Sequence, residues 1–208
     1  MKNVSLLFCL IFVLSFNTTI SAQESANTSM EIPLNYKNRN ALYDYYEKQL
    51  NNVDTVPDYT SKLNKIKISG TIYQSDGKTP AKDVILFIHQ PNEDGDYILK
   101  RDANRKRYVY HRAWIKTDTD GKYTFYTFIP GKYDRSKELK QIHRTIKEPG
   151  KEAYQLVSFF FDDDPLLPEL TLACRARAVG SMLRLQKQDS MYVATRDIKL
   201  PKSIVLDQ

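Results

Sequence analysis

The sequence predicts an all-β protein, an antiparallel β-sandwich with a short N-terminal helical extension. From Lys65 onward apolar residues such as Ile66, Ile68 and Ile72 alternate with polar neighbours, the pattern of strands with one buried face. The apolar runs are short and separated by turn clusters such as Ser75–Pro80 (SDGKTP) and Thr117–Gly121 (TDTDG). The 14 Tyr and 9 Phe among 208 residues tilt the composition toward strands.

The chain begins with the features of an export signal. Lys2 supplies a charged start, and Ser5–Phe16 (SLLFCLIFVLSF) is an apolar run of h-region length, too short to span a bilayer. Asn17–Ala22 (NTTISA) ends in a small residue suited to signal peptidase. Residues 1–22 are therefore expected to be a signal peptide, 23–64 a flexible start with a helical extension, and 65–208 the sandwich. The mature chain is expected near Gln23, exported to the periplasm or outside the cell. No later segment is long and apolar enough to cross a membrane. Removing residues 1–22 takes away one base, Lys2, and no acid, so the formal charge falls from +6 to +5. It also removes Cys9 and leaves Cys174 alone, so the domain must stand without an internal disulfide. Cys174 is expected to be a buried small hydrophobe.

Asn40–Leu50 (NALYDYYEKQL) has a helical rhythm in Leu42, Tyr45, Tyr46 and Leu50, with Asn40 as its cap, and Asn51–Ser61 is a connector. Strands are expected at Lys65–Ile72, Val84–Ile88, Tyr108–Lys116, Tyr123–Phe128, Ile142–Ile146, Tyr154–Phe161 and Met191–Leu200, with no helix between them. TDTDG is read as a hairpin turn. The densest basic patch, Lys100–Arg112, is read as a solvated loop leading into a strand; the charges are otherwise scattered, and no nucleic acid is expected.

Serine-nucleophile motifs, phosphate-cradling glycine loops, HExxH and paired CxxC are all absent. Three histidines, His89, His111 and His143, are too few for a multi-histidine site. Tyrosine remains. A phenolate is a hard anionic donor that a cation can deprotonate, so Tyr with His suits ferric iron better than zinc. Gln141 and His143 fall on one face of a strand, roughly 7 Å apart. Asp162–Asp164 reads as a turn before Pro165, and Trp114 as core.

Residues 68 to 200 resemble the intradiol ring-cleavage dioxygenases, the family of catechol and protocatechuate dioxygenases. ISGTIYQSDGKTPAKDVILFI resembles the family's opening hairpin. HQPNEDGDY (His89–Tyr97) resembles the segment that ends in its first tyrosine ligand. TDTDGKYTFYTFIPGKY (Thr117–Tyr133) resembles the segment that ends in its second, QIHRTIKEPG its His-Ile-His strand, and FFFDDDPLLP (Phe159–Pro168) the aromatic-acidic segment that follows. The resemblance implies an Fe(III) centre with Tyr97, Tyr133 and His143 as metal ligands. Gln141 stands where the first histidine belongs and is a candidate ligand through its amide oxygen. Glu138 stands where the family usually has arginine. His89 replaces the family's tryptophan at a strand end near the site, where it is a less favoured candidate for the missing ligand.

The activity this implies is oxidative intradiol cleavage of a catechol-type ring by O2, with Tyr133 leaving the metal to accept a proton from the bound catechol. Family members commonly associate, which makes a homo-oligomer one open possibility; the sequence itself leaves the oligomeric state open. Two alternatives stay open. One is a relative that has lost iron and serves as an exported binding module. The other is a sandwich like the carboxypeptidase regulatory modules, ranked last because it accounts for neither HQPNEDGDY nor QIH nor FFFDDDPLLP.

Overall fold

The computed structural model describes residues 33–45, 48–132 and 138–202. The signal-peptide segment lies outside the described residues, as does Tyr133. In chain order the elements are β1 (Val53–Thr55), β2 (Lys65–Tyr73), β3 (Ile85–His89), β4 (Leu99–Arg101), β5 (Arg107–Val109), β6 (Arg112–Lys116) and β7 (Lys122–Phe128). Then follow β8 (Gln141–Lys147), β9 (Tyr154–Phe161), helix α1 (Leu172–Val179), β10 (Met182–Leu183), β11 (Gln186–Gln188), β12 (Met191–Thr195) and β13 (Ile198–Lys199).

The strands form two facing sheets. One runs β1-β7-β2-β12-β11 with β13 also on β2, and the other runs β10-β9-β8-β3-β6. Period-two alternation makes both possible. Ile66, Ile68 and Phe125 from the first sheet meet Leu86, Ile88, Ile142, Ile146 and Phe159 from the second in one buried core. The central pairs β2–β7, β3–β6, β3–β8 and β8–β9 are antiparallel, and β1, β10, β12 and β13 add short parallel pairings.

Several local expectations are corrected. TDTDG is no hairpin turn: it carries the chain from β6 in one sheet to β7 in the other. Asp118 Oδ1 accepts the N–H groups of Asp120 and Lys122, and Gly121 has φ +65° where a Cβ would lie 2.6 Å from the Ile72 carbonyl oxygen. Ser75–Pro80 likewise closes one bridge, Tyr73 to Pro80, before the chain crosses over. The strand expected at Tyr108–Lys116 breaks at Tyr110–His111. Met191–Leu200 breaks at Arg196–Asp197, where the Tyr123 hydroxyl donates to the Arg196 carbonyl at 2.5 Å and Asp197 Oδ1 accepts the Thr71 N–H at 2.8 Å. Helix α1 was not expected; Thr171 Oγ1 caps it by accepting the Cys174 N–H at 3.3 Å, and Cys174 is exposed rather than buried.

The extension is not the helix expected over Asn40–Leu50. It is a single 3-10 turn, Ala41–Tyr45, begun by Asn40 Oδ1 accepting the Leu42 N–H at 2.9 Å. Leu42 and Tyr43 pack with Ile85, Phe87 and Trp114 on the outer face of the β3 sheet, and the Trp114 indole N–H donates to the Leu42 carbonyl at 2.7 Å. The basic patch is solvated along Leu99–Arg101 and at Arg107 but is a β4–β5 hairpin rather than a loop, and its Lys106 and Arg112 turn inward. Asp44, 5% exposed, receives Lys106 Nζ at 2.8 Å, Arg39 Nε at 3.2 Å and Arg112 Nη1 at 3.6 Å. One carboxylate thus anchors the N-terminal segment to the strands beneath it.

The loop between β3 and β4 is wound tightly about Asn92, whose Oδ1 accepts the N–H groups of Asp94 and Asp96 at 3.0 and 2.8 Å. Gly131, after β7, donates its N–H to the Asn92 carbonyl at 2.8 Å, and a Cβ on it would collide with the backbone of Glu93 and Gly95.

Asp44→Ala leaves three buried cations without their counter-charge. It is expected to destabilise the fold by ~3–5 kcal/mol, read as a lower urea midpoint. Gly131→Ala is expected to cost about 1–3 kcal/mol by forcing the Asn92 loop away, read as a fall in thermal midpoint.

Candidate metal centre

The β8 pleat sends Ile142 and Ile146 into the core and leaves Gln141, His143 and Thr145 on the outer face. The β3 pleat buries Leu86 and Ile88 and turns Ile85, Phe87 and His89 outward. Because β3 and β8 pair with His89 opposite His143, the two imidazoles share that face. Their ring centres are 4.7 Å apart with planes inclined by 19°, and Phe87 stacks on His89 at 5.6 Å. A bulge in β9 places two residues, Val157 and Ser158, opposite His143, and Ser158 Oγ lies 3.3 Å from His143 Nδ1. Arg144 holds the bulge from the core side: its guanidinium donates to the Val157 carbonyl and to Ser181 Oγ, the latter at 2.6 Å.

The Asn92 loop delivers Tyr97 to the same place. Tyr97 Oη lies 2.5 Å from His143 Nε2, and its ring centre is 6.5 Å from that of His89. Burial and the negative charge of Glu138 raise the Tyr97 pKa, which favours the protonated phenol beside Nε2. Ser158 Oγ partners the ring's other nitrogen, Nδ1. Burial lowers His143 against the opposing pull of Glu138. Burial, then His143, then Arg112, push His89 down to about 4. His89 Nδ1 is buried and has no hydrogen-bond partner. Three neutral donors from three segments therefore meet beside one carboxylate, Glu138.

Of the residues expected at the site, Tyr97 and His143 are in contact and Tyr133 lies outside the described residues. Gln141 sits on the shared face at the end of β8, beyond the last β3 pair, and its Nε2 donates to a Glu138 carboxylate oxygen at 3.3 Å. His111 is elsewhere, packed against Phe128 and Tyr110. The acidic run is a turn, as expected: Asp164 accepts the backbone N–H groups of Lys140 and Leu166 at 2.7 and 3.0 Å. Among the described residues no three His, Cys, Asp or Glu side chains gather as a metal site. An ion held here would draw on tyrosine for an anionic oxygen. A phenol and two uncharged imidazoles, one nitrogen of them orphaned, fit ferric iron by donor type.

Neither a protein-family model nor a curated protein sequence matches the chain. Solved structures do. One is the dioxygenase domain of a dioxygenase–carbohydrate-binding fusion from Streptomyces sp. SirexAA-E, at 19% identity over 71% of this chain and 86% of that one, with TM-score 0.58. Another is an intradiol ring-cleavage dioxygenase from Tetranychus urticae, at 17% identity over 74% and 88%, with TM-score 0.58. A third is 3-chlorocatechol 1,2-dioxygenase from Rhodococcus opacus 1CP, at 18% identity and TM-score 0.56, covering 71% of this chain and 64% of the enzyme. At these identities the likeness is one of architecture, and the sandwich that carries Tyr97 and His143 has the fold of the intradiol ring-cleavage dioxygenases.

Proposed function

We propose that this is an exported intradiol-type dioxygenase that opens a catechol-type ring with O2 at an Fe(III) centre. Tyr97, Tyr133 and His143 hold the ion, and Gln141 stands where the family has its remaining ligand. The observation that carries the reading is the approach of Tyr97 Oη to His143 Nε2, 2.5 Å apart and 46 residues apart in sequence, on a fold shared with intradiol dioxygenases. Export rests on the charged start, apolar run and small-residue end of residues 1–22.

Ferric iron, when bound, supplies the electron-withdrawing centre that activates a catecholate ring toward O2. The residues do the rest. Tyr97 gives up its phenolic proton when a cation replaces it, and His143 offers Nε2 while Nδ1 is partnered by Ser158. Tyr133 takes up a proton from one catechol hydroxyl at its phenolate oxygen. Phe87 walls the imidazole pair on its apolar side. The bond that breaks joins the two hydroxyl-bearing carbons, and both atoms of O2 end in the two carboxyl groups of the product.

The mature protein from Gln23 onward, offered ferric iron, is expected to bind about one ion per chain and show a broad visible tyrosinate band that shifts when catechol is added. A colourless protein without iron would sink the proposal. Tyr133→Phe is expected to abolish ring opening measured as product absorbance, while Gln141→His preserves or raises iron affinity.

A further inference from the structure

We infer that His89 supplies the second imidazole of this centre, in the place that Gln141 leaves without one. The inference rests on the ferric-centre reading and extends it to a residue that reading does not use.

The β3–β8 register sets His89 directly against His143, so the two rings leave neighbouring strands on one face at one level. With metal–nitrogen bonds of about 2.0–2.1 Å each imidazole centre lies roughly 3.2 Å from the ion, so two imidazoles sharing one ion have ring centres within about 6.5 Å. Those of His89 and His143 are 4.7 Å apart. The rings are stacked, inclined by 19°, and histidine's soft second torsion lets His89 turn a nitrogen toward a shared ion without leaving its χ1 rotamer. His89 also ends the strand from which the Tyr97 loop departs, and the Tyr97 ring centre is 6.5 Å away.

The chemistry of the ring points the same way. Packing between Phe87 and His143 asks only for a flat apolar side chain, which phenylalanine would provide without a polar atom to satisfy. His89 instead buries Nδ1 with no hydrogen-bond partner. A metal bond would use that lone pair. Gln141 has its amide on Glu138 and no partner strand on its β3 side.

The test uses the mature chain loaded with ferric iron. Pulsed EPR, which counts coordinated imidazole nitrogens, is expected to find two imidazoles in the wild type, one in His89→Phe and two in Gln141→Ala. Iron affinity is expected to fall at least ~10-fold in His89→Phe, the low end of what losing even an outer-shell partner costs. It should change little in Gln141→Ala. Iron bound with a single imidazole in the wild type, or His89→Phe matching wild type in count and affinity, overturns the role of His89 and leaves the ferric centre standing. A wild type that takes up no iron removes both. Should His89→Phe fail to fold, the wild-type count alone decides.

Discussion

The pairing of β3 with β8 fixes the direction of every strand-borne group at the candidate centre. Its antiparallel register turns Ile142, Ile146, Leu86 and Ile88 into the core and so obliges His143 and His89 to face out together. Each of those four aliphatic side chains is essentially fully buried and contributes about 1.5–3 kcal/mol of apolar burial. A slip of one residue in β8 would carry Ile142 and Ile146 to the outer face and drive His143 into the core. The phase of the ladder is thus held by hydrocarbon, and the polar chemistry on the far face inherits its positions from it.

What the ladder cannot supply comes from departures from regularity. The β9 bulge inserts one residue opposite His143, and that insertion brings Ser158 to Nδ1. The Asn92 loop, pinned at Gly131, carries Tyr97 over the strand ends. Sheet, bulge and loop each contribute one constraint on a single imidazole. Such convergence on a group held neutral by burial suits a donor that must present a lone pair, not a charge.

The strands at Ile66–Ile72, Tyr123–Phe128 and Tyr154–Phe161 were legible because one-sided burial writes itself as alternation. Which sheet each strand joins was not. Asp118 and Gly121 specify a reversal of the chain but not whether the next strand pairs with the last or crosses the core. The extension misled because Leu42, Tyr45 and Tyr46 imitate a helical stripe, while Asn40 and the outer sheet face favour one tight turn with Leu42 and Tyr43 inward. Helix α1 carries two arginines, Arg175 and Arg177, among alanines with little apolar periodicity, so neither it nor the exposure of Cys174 announced itself. At the site, Tyr97 and His143 were legible only through family resemblance, since nothing in a 46-residue separation implies contact. The nearness of His89 to His143 depends on strand register, which the sequence of either strand alone does not carry.

The N-terminal segment draws its partners from far downstream. The Leu42 carbonyl waits for Trp114, 72 residues on, and Asp44 for Lys106, 62 residues on. Tyr36 donates to Asp102, 66 residues on. None of these anchors exists until the middle of the chain has been made and its sheet assembled, and closing loops of that length is slow. The N-terminal stretch can therefore dock only on a sheet already assembled, and the outer face bearing Phe87 and Trp114 stays uncovered until it does.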